Sequence, residues 1–238
     1  MIPKKIHYCW FGRGPKSELI QKCMASWRKH LSDYEIIEWN EDNFDVNQNR
    51  YTEQAYSNKK WAFVSDFARL KALYDQGGIY LDTDMFLLKG LDDCLVYDLV
   101  LGKEDEKYIS AGMIASAPSS FFLSKVLEKY IAISKEIELS FVTIPKVLTE
   151  TYDRMDKNTL SNTRVFDSIF FYPFSAEKIH NFDFSNAPQE SYAVHMWDYS
   201  WGDPVSRFIK KIGAYRLLVY LAEKLNIKEM VKRVIGSI

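Results

Sequence analysis

The chain has 238 residues, 47% of them apolar, enough to bury the core of one globular domain with a modest extension. Its 31 basic residues nearly cancel its 32 acidic ones, so no bulk field draws it to nucleic acid or to another acidic polymer. Cys9, Cys23 and Cys94 are widely spaced and form no C-x-x-C pair, which argues against a disulfide framework or a zinc cluster and fits a reducing, cytosolic setting.

The opening Met1-Ile2-Pro3-Lys4-Lys5-Ile6-His7 lacks the apolar core and cleavage site of a signal peptide, and no apolar run reaches the ~20 residues of a membrane span. Ile6 to Phe11 is an apolar and aromatic run ended by Gly12-Arg13-Gly14-Pro15, which predicts a buried strand running into a turn. Ser17 then supplies an N-cap for a helix to about Leu31, with Leu19, Ile20, Cys23, Trp27 and Leu31 on one stripe, and Tyr34 to Trp39 reads as a strand. From Lys60 to Gln76 the apolar residues Phe63, Val64, Phe67, Leu70, Leu73 and Tyr74 recur at helical spacing, and Gly77-Gly78 stops the helix. Ile79-Tyr80-Leu81 begins a strand that breaks at Asp82 and Asp84 and resumes as Met85-Phe86-Leu87-Leu88.

Further strands are predicted at Leu99 to Gly102, Gly112 to Ala115 and Tyr192 to His195, with helices near Phe121 to Lys135 and Ile144 to Tyr152. The alternation indicates an α/β layered fold without internal repeats or linkers. From Arg207 to Ile238 the basic residues exceed the acidic ones by six, and they interleave with apolar residues as two amphipathic helices meeting near Asn226. Residues 1–203 are therefore expected to form the main domain and 204–238 a basic helical tail. Such a tail has three uses: packing on its own domain, making a dimer contact, or lying on an anionic leaflet.

Asp82 and Asp84 are one residue apart, and side chains at i and i+2 of an extended segment project to the same side, so both carboxylates can converge on one cation. A hard divalent ion favours such oxygen ligands and keeps positions free for substrate phosphates. Spacing alone also suits a solvated turn. In the preceding helix, Ser65 and Arg69 fall away from the apolar stripe and Asp66 at its boundary, which fits either a ligand-facing surface or an exposed face with a local Asp66–Arg69 ion pair. Trp10 offers a flat ring for a nucleotide base, and equally a core tryptophan at a strand end. His7, on the opposite strand face, reads as structural. In Lys103-Glu104-Asp105-Glu106, Glu104 is a candidate for acceptor contacts within what otherwise reads as a solvated loop.

Three blocks taken together, Ile2 to Gly12, Ser65-Asp66-Phe67-Ala68-Arg69 and Gly77-Gly78-Ile79-Tyr80-Leu81-Asp82-Thr83-Asp84, resemble the D-x-D-containing glycosyltransferase family 32, and are similar to the catalytic domain of the large clostridial glucosylating toxins. The resemblance implies a GT-A-type, Rossmann-like nucleotide-sugar-binding fold with a C-terminal helical extension, a Mn²⁺ or Mg²⁺ cofactor, a UDP-sugar donor and retention of anomeric configuration. Trp10 would stack on the base, and Ser65, Asp66 and Arg69 would contact ribose and donor sugar, with Tyr80 reaching the donor. Asp82 would contact sugar or ribose and the metal, Asp84 would be the direct metal ligand, and Asp82, Asp84 and Arg69 would carry catalysis. His195-Met196-Trp197-Asp198-Tyr199-Ser200-Trp201 resembles the segment that closes the family's donor site. It implies His195 as third metal ligand and Ser200 and Trp201 as donors to the β-phosphate.

The expected activity is hexose transfer to a hydroxyl of a glycan or lipid-linked oligosaccharide, in surface polysaccharide (capsule) synthesis, by a cytoplasmic protein that the tail would bring to the inner face of the membrane. The alternatives are a protein-modifying glycosyltransferase and a non-catalytic nucleotide-sugar-binding protein. No nucleic-acid partner is expected, and the sequence sets no oligomeric state.

Overall fold

In chain order the elements are β1 (Lys5–Cys9), α1 (Glu18–His30), β2 (Glu35–Trp39), α2 (Arg50–Ser57), α3 (Trp61–Gln76), β3 (Gly78–Leu81), β4 (Met85–Leu87), β5 (Leu99–Lys103), β6 (Ile109–Ser116), α4 (Phe121–Ser134), α5 (Ile144–Arg154), β7 (Thr163–Phe166) and β8 (Ala193–His195). They belong to a computed structural model that describes residues 1–136, 139, 141–176, 179 and 183–198. The chain divides into two compact units, Met1–Met196 and Trp197–Ile238, and the account that follows concerns the first. The expected helical tail, 204–238, lies outside the described residues, as do Ser200 and Trp201.

Six strands form one sheet in the order β2-β1-β3-β6-β5-β7, and β4 pairs with β8 in a separate two-stranded ribbon. β1 runs parallel to β2 and β3, β6 antiparallel to β3 and β5, and β7 parallel to β5. The central strands are buried on both faces, as Ile6, Ile79, Leu81, Val100, Leu101, Met113 and Ile114 show, which is why they read as unbroken apolar runs.

Local chemistry sets the elements. Ser17 caps α1, its side chain accepting from the Ile20 amide. Further along that helix the buried Trp27 indole donates to the Met85 carbonyl at 2.6 Å and the Ser26 hydroxyl accepts from the Leu87 amide at 2.9 Å, so α1 fixes β4. Helix α3 buries Val64, Phe67, Ala68, Leu70 and Leu73 and ends at Gly77 (φ 63°), followed by Gly78 (φ 118°). A Cβ at Gly77 would meet the Pro118 backbone nitrogen at 2.7 Å, and one at Gly78 the Lys5 carbonyl at 2.8 Å, so only glycine passes the chain from helix to sheet here.

One irregularity bears on the site. Along the β5–β6 pair Leu101 faces Ile114 but Gly102 faces Ser110, so Ala111, Gly112 and Met113 bulge out of the β5 ladder. The carbonyls of Ala111 and Gly112 are then available elsewhere: Ala111 accepts from Arg69 Nη1 at 2.9 Å and Gly112 from the Asp82 amide at 2.8 Å.

The structure departs from the sequence expectations in three places. α2 and β7 were not expected; α2 is a short polar helix capped by Asn49, and β7 alternates without a continuous apolar run. β6 begins earlier than the glycine at 112 suggested. The Asp82–Asp84 segment is a turn rather than an extended stretch: the Met85 amide donates back to the Asp82 carbonyl at 2.9 Å, and chain reversal rather than strand pleating brings the two carboxylates near each other.

Candidate active site

The site forms where β3 ends. Asp82 and Asp84 lie on the turn after β3, and His195 arrives from the far end of the described chain because β4 and β8 pair with Met85 opposite His195. The Met196 amide donates to the Asp84 carbonyl at 2.9 Å, which closes this pairing beside the acidic turn. As a result, one side-chain ligand atom each from Asp82, Asp84 and His195 lies within 4.8 Å of the others. His195 Nε2 stands 3.2 Å from Asp84 Oδ1. Burial disfavours charge on this imidazole, but Asp84, with Asp82 and Glu104, outweighs it and raises its pKa. Two carboxylates and one imidazole thus converge. This donor set fits a divalent first-row ion such as Mn²⁺.

Arg69 forms the opposite wall. It is 5% exposed and Asp66 6%, so the pair is not on an open helix face. The guanidinium lies 3.1 Å from Asp66 Oδ1 and, through Nη1, 3.1 Å from Asp82 Oδ1, and stacks 4.4 Å from the Tyr80 ring centre. Its Nε donates to the Ser65 carbonyl at 3.2 Å, while the Tyr80 hydroxyl donates to Asp82 Oδ1 at 2.9 Å. Burial pushes the Asp66 carboxyl up to about 7 against the pull of Arg69. On Arg69 burial works the other way, and Asp82, Tyr80 and Asp66 more than offset it to hold the charge firmly. Tyr80 is thus both a core aromatic and a hydrogen-bond donor to the acidic turn.

The remaining expected residues are placed as follows. Ser65 is half-buried beside Arg69. Trp10 lies half-buried just past β1. Its amide donates to the Trp39 carbonyl at 2.8 Å and its indole to the Gly14 carbonyl at 2.7 Å, with the Lys16 ammonium 5.3 Å from its ring centre. The ring is therefore held by the loop after β1 rather than packed in the core, and its hydrogen bonds do not run to the carboxylates. His7 is fully buried, its Nε2 against the Gly77 carbonyl at 2.8 Å and its Nδ1 accepting from Trp39 Nε1 at 3.0 Å, the structural role expected of it.

The acidic run after β5 splits. Asp105 and Glu106 are exposed, whereas Glu104 is half-buried and within electrostatic reach of His195 and Asp82, with burial raising its carboxyl pKa. Sequence reasoning missed Tyr172 and Gly112 altogether. A Cβ on Gly112 would sit 3.0 Å from both Asp82 Oδ2 and the Tyr172 hydroxyl, so the absence of a side chain there lets the two approach. Tyr172 stands edge-on to His195, ring centres 5.6 Å apart. Nothing in the aromatic-rich stretch around Tyr172 distinguished it from core.

Residues 17–101 match the family model described as "Glycosyltransferase sugar-binding region containing DXD motif". Over 82 residues the chain is 35% identical to Glucan organizing enzyme 1 of Cryptococcus neoformans var. grubii serotype A, an alignment covering 30% of this chain and 22% of that protein. The chain thus spans less than a quarter of the length of this curated relative. Among solved structures, PaToxG Glycosyltransferase matches with a TM-score of 0.54 at 20% identity over 67% of this chain and 72% of its own. The glycosyltransferase GlyE of Streptococcus pneumoniae TIGR4 matches with a TM-score of 0.50 at 13% identity over 81% and 54%. These likenesses establish the fold as the α/β architecture of GT-A glycosyltransferases, the fold expected from the sequence.

Proposed function

We propose, on the premise that residues 17–101 carry a DXD-type glycosyltransferase sugar-binding region, that the protein is a metal-dependent retaining glycosyltransferase. It moves a hexose from a UDP-sugar to a hydroxyl of a glycan or lipid-linked oligosaccharide in surface polysaccharide synthesis. The observation that carries the reading is the convergence of Asp82, Asp84 and His195 within 4.8 Å beside the buried Arg69. Asp82, Asp84 and His195 would hold a divalent ion, which supplies positive charge to the departing diphosphate.

The chain's own residues do the rest. Asp82 is oriented by Arg69 and Tyr80 through its Oδ1, which leaves Oδ2 as the oxygen facing Gly112. Arg69 cannot swing out: its donors are engaged by Ser65, Asp66, Asp82 and Ala111. A fixed cation of this kind is preorganised, so it stabilises charge developing on the donor without a reorganisation cost at the moment of bond breaking. In a same-face transfer the leaving phosphate accepts the proton of the acceptor hydroxyl, and no protein base is needed. Trp10, held at the loop after β1, provides the flat surface for the base, with Ser65 and Asp66 on the ribose and sugar side. Both aspartates are present, which weighs against a protein that only binds the donor.

Calorimetric titration with UDP, with and without Mn²⁺, tests the proposal on wild type and Asp84→Ala. Metal-dependent binding lost in the variant is the expected outcome; absence of UDP binding with any divalent ion would overturn the UDP assignment.

A further inference from the structure

Tyr172 is 4% exposed, and its backbone is fixed by the turn at Ser168–Phe170, where its amide donates to the Ser168 carbonyl at 2.6 Å. The neighbouring Phe171 stacks on Tyr192 with ring centres 5.7 Å apart, and Gly102 leaves room for the Phe171 and Tyr172 rings to lie against β5. The Tyr172 ring is therefore packed, yet its hydroxyl is buried without a hydrogen bond among the described residues, near Ser110 and the Met113 backbone. A buried phenol left unpaired costs free energy, so natural structures rarely keep one without a ligand or water to complete it. It points to the spot beside Gly112 that Asp82 Oδ2 also faces, with Glu104 and His195 around it.

The chemistry of that wall selects its ligand. Asp82 and Glu104 present carboxylates, Ser110 a hydroxyl and Tyr172 a phenol, with the cationic groups placed behind or beside them. A bare phosphate would meet like charge on two sides. A sugar hydroxyl matches all of them, donating to a carboxylate while accepting from the phenol. We infer that the Tyr172 hydroxyl, with the Glu104 carboxylate, reads the hydroxyl groups of the transferred sugar, and that Tyr172 is a specificity-determining residue of the donor site. This rests on the donor-site reading given above.

Tyr172→Phe keeps the ring against His195 and Gly102 and removes only the hydroxyl; Glu104→Gln is the companion variant. Each is compared with wild type for the Kd of UDP with Mn²⁺ and for kcat/KM of hydrolysis of UDP-glucose, UDP-galactose and UDP-N-acetylglucosamine. For both variants the UDP affinity is expected to stay within about twofold while kcat/KM for the best UDP-sugar falls about tenfold, the size of one lost hydrogen bond. Equal losses in UDP affinity and in hydrolysis would mean that Tyr172 acts only by supporting His195, and would overturn the inference. Unchanged hydrolysis by Tyr172→Phe would overturn it and leave the donor-site reading intact. Failure of wild type to bind UDP with Mn²⁺ would remove the donor-site reading itself, and wild type that binds UDP but hydrolyses none of the three sugars would refute the inference alone.

Discussion

On one wall of the site Arg69 joins Asp66, Asp82, Ser65 and Ala111 in a network in which each guanidinium nitrogen has a partner. On the other, Asp84 and His195 meet across 111 residues of sequence, and Tyr172 beside them keeps a buried hydroxyl with no hydrogen bond among the described residues. The first wall is held by one helix, a glycine pair and a bulge; the second depends on a ribbon of two short strands and a turn. An interlocked network contributes shape and stability and holds Arg69 and Asp82 in the positions a ligand would meet. A buried hydroxyl that lacks a hydrogen bond among the described residues, as that of Tyr172 does, contributes binding. The two walls should therefore respond differently to mutation, the first in folding as well as in ligand affinity and the second chiefly in ligand affinity.

Arg69→Met is the strongest way to break that contrast. It removes the only cation shared by Asp66 and Asp82 in the described network, leaving the buried Asp66 and the half-buried Asp82 without it, and urea unfolding should show a loss of about 3–5 kcal/mol. Gly112→Ala tests the junction of the walls. Its methyl would sit 3.0 Å from Asp82 Oδ2 and the Tyr172 hydroxyl, so a loss of about 1–3 kcal/mol in stability is expected, together with weaker Mn²⁺ binding. If stability falls and metal affinity does not, the two walls are less coupled at this point than the geometry indicates.

The remaining two predictions sharpen the scaffold side. His7 is buried as the neutral imidazole between Gly77 and Trp39, and burial lowers its pKa from the ordinary 6.5. A lowered histidine pKa means that the unfolded chain takes up the proton first. Its contribution is thus complete above pH 6.5 and is lost as pH falls from there toward the folded value. The slope of unfolding free energy against pH below 6.5 should flatten in His7→Gln relative to wild type. Ser17→Ala removes the cap of α1, the helix that holds β4, and should cost about 1 kcal/mol in the same assay while leaving metal affinity unchanged.

Much of the first wall was legible in the sequence. Helix periodicity from Lys60 to Gln76, the Gly77-Gly78 stop and the acidic pair are local signals, and α3 and β3 lie where those signals put them. Reading Asp66 and Arg69 as partners was possible from their spacing, but their burial was not, because α4 and the sheet that cover them come from elsewhere in the chain. The second wall was legible only through resemblance: His195 is one histidine in a short apolar strand, and only the pairing of β4 with β8 gives it a neighbour in Asp84. Tyr172 and Gly112 left no local trace, since an unpaired hydroxyl and a bulge are properties of packing. The turn at Asp82–Asp84 was misread as extended because strand residues flank it on both sides and the backbone hydrogen bond that closes it carries no sequence signature.

The central claim is that Asp82, Asp84 and His195 hold one divalent ion. Pulsed electron paramagnetic resonance of the protein with stoichiometric Mn²⁺ and UDP addresses it without relying on turnover. A nitrogen coupling on bound Mn²⁺ that disappears in His195→Ala, with binding lost in Asp84→Ala, is the predicted result; bound Mn²⁺ with no nitrogen coupling, or binding indifferent to Asp84, would contradict it.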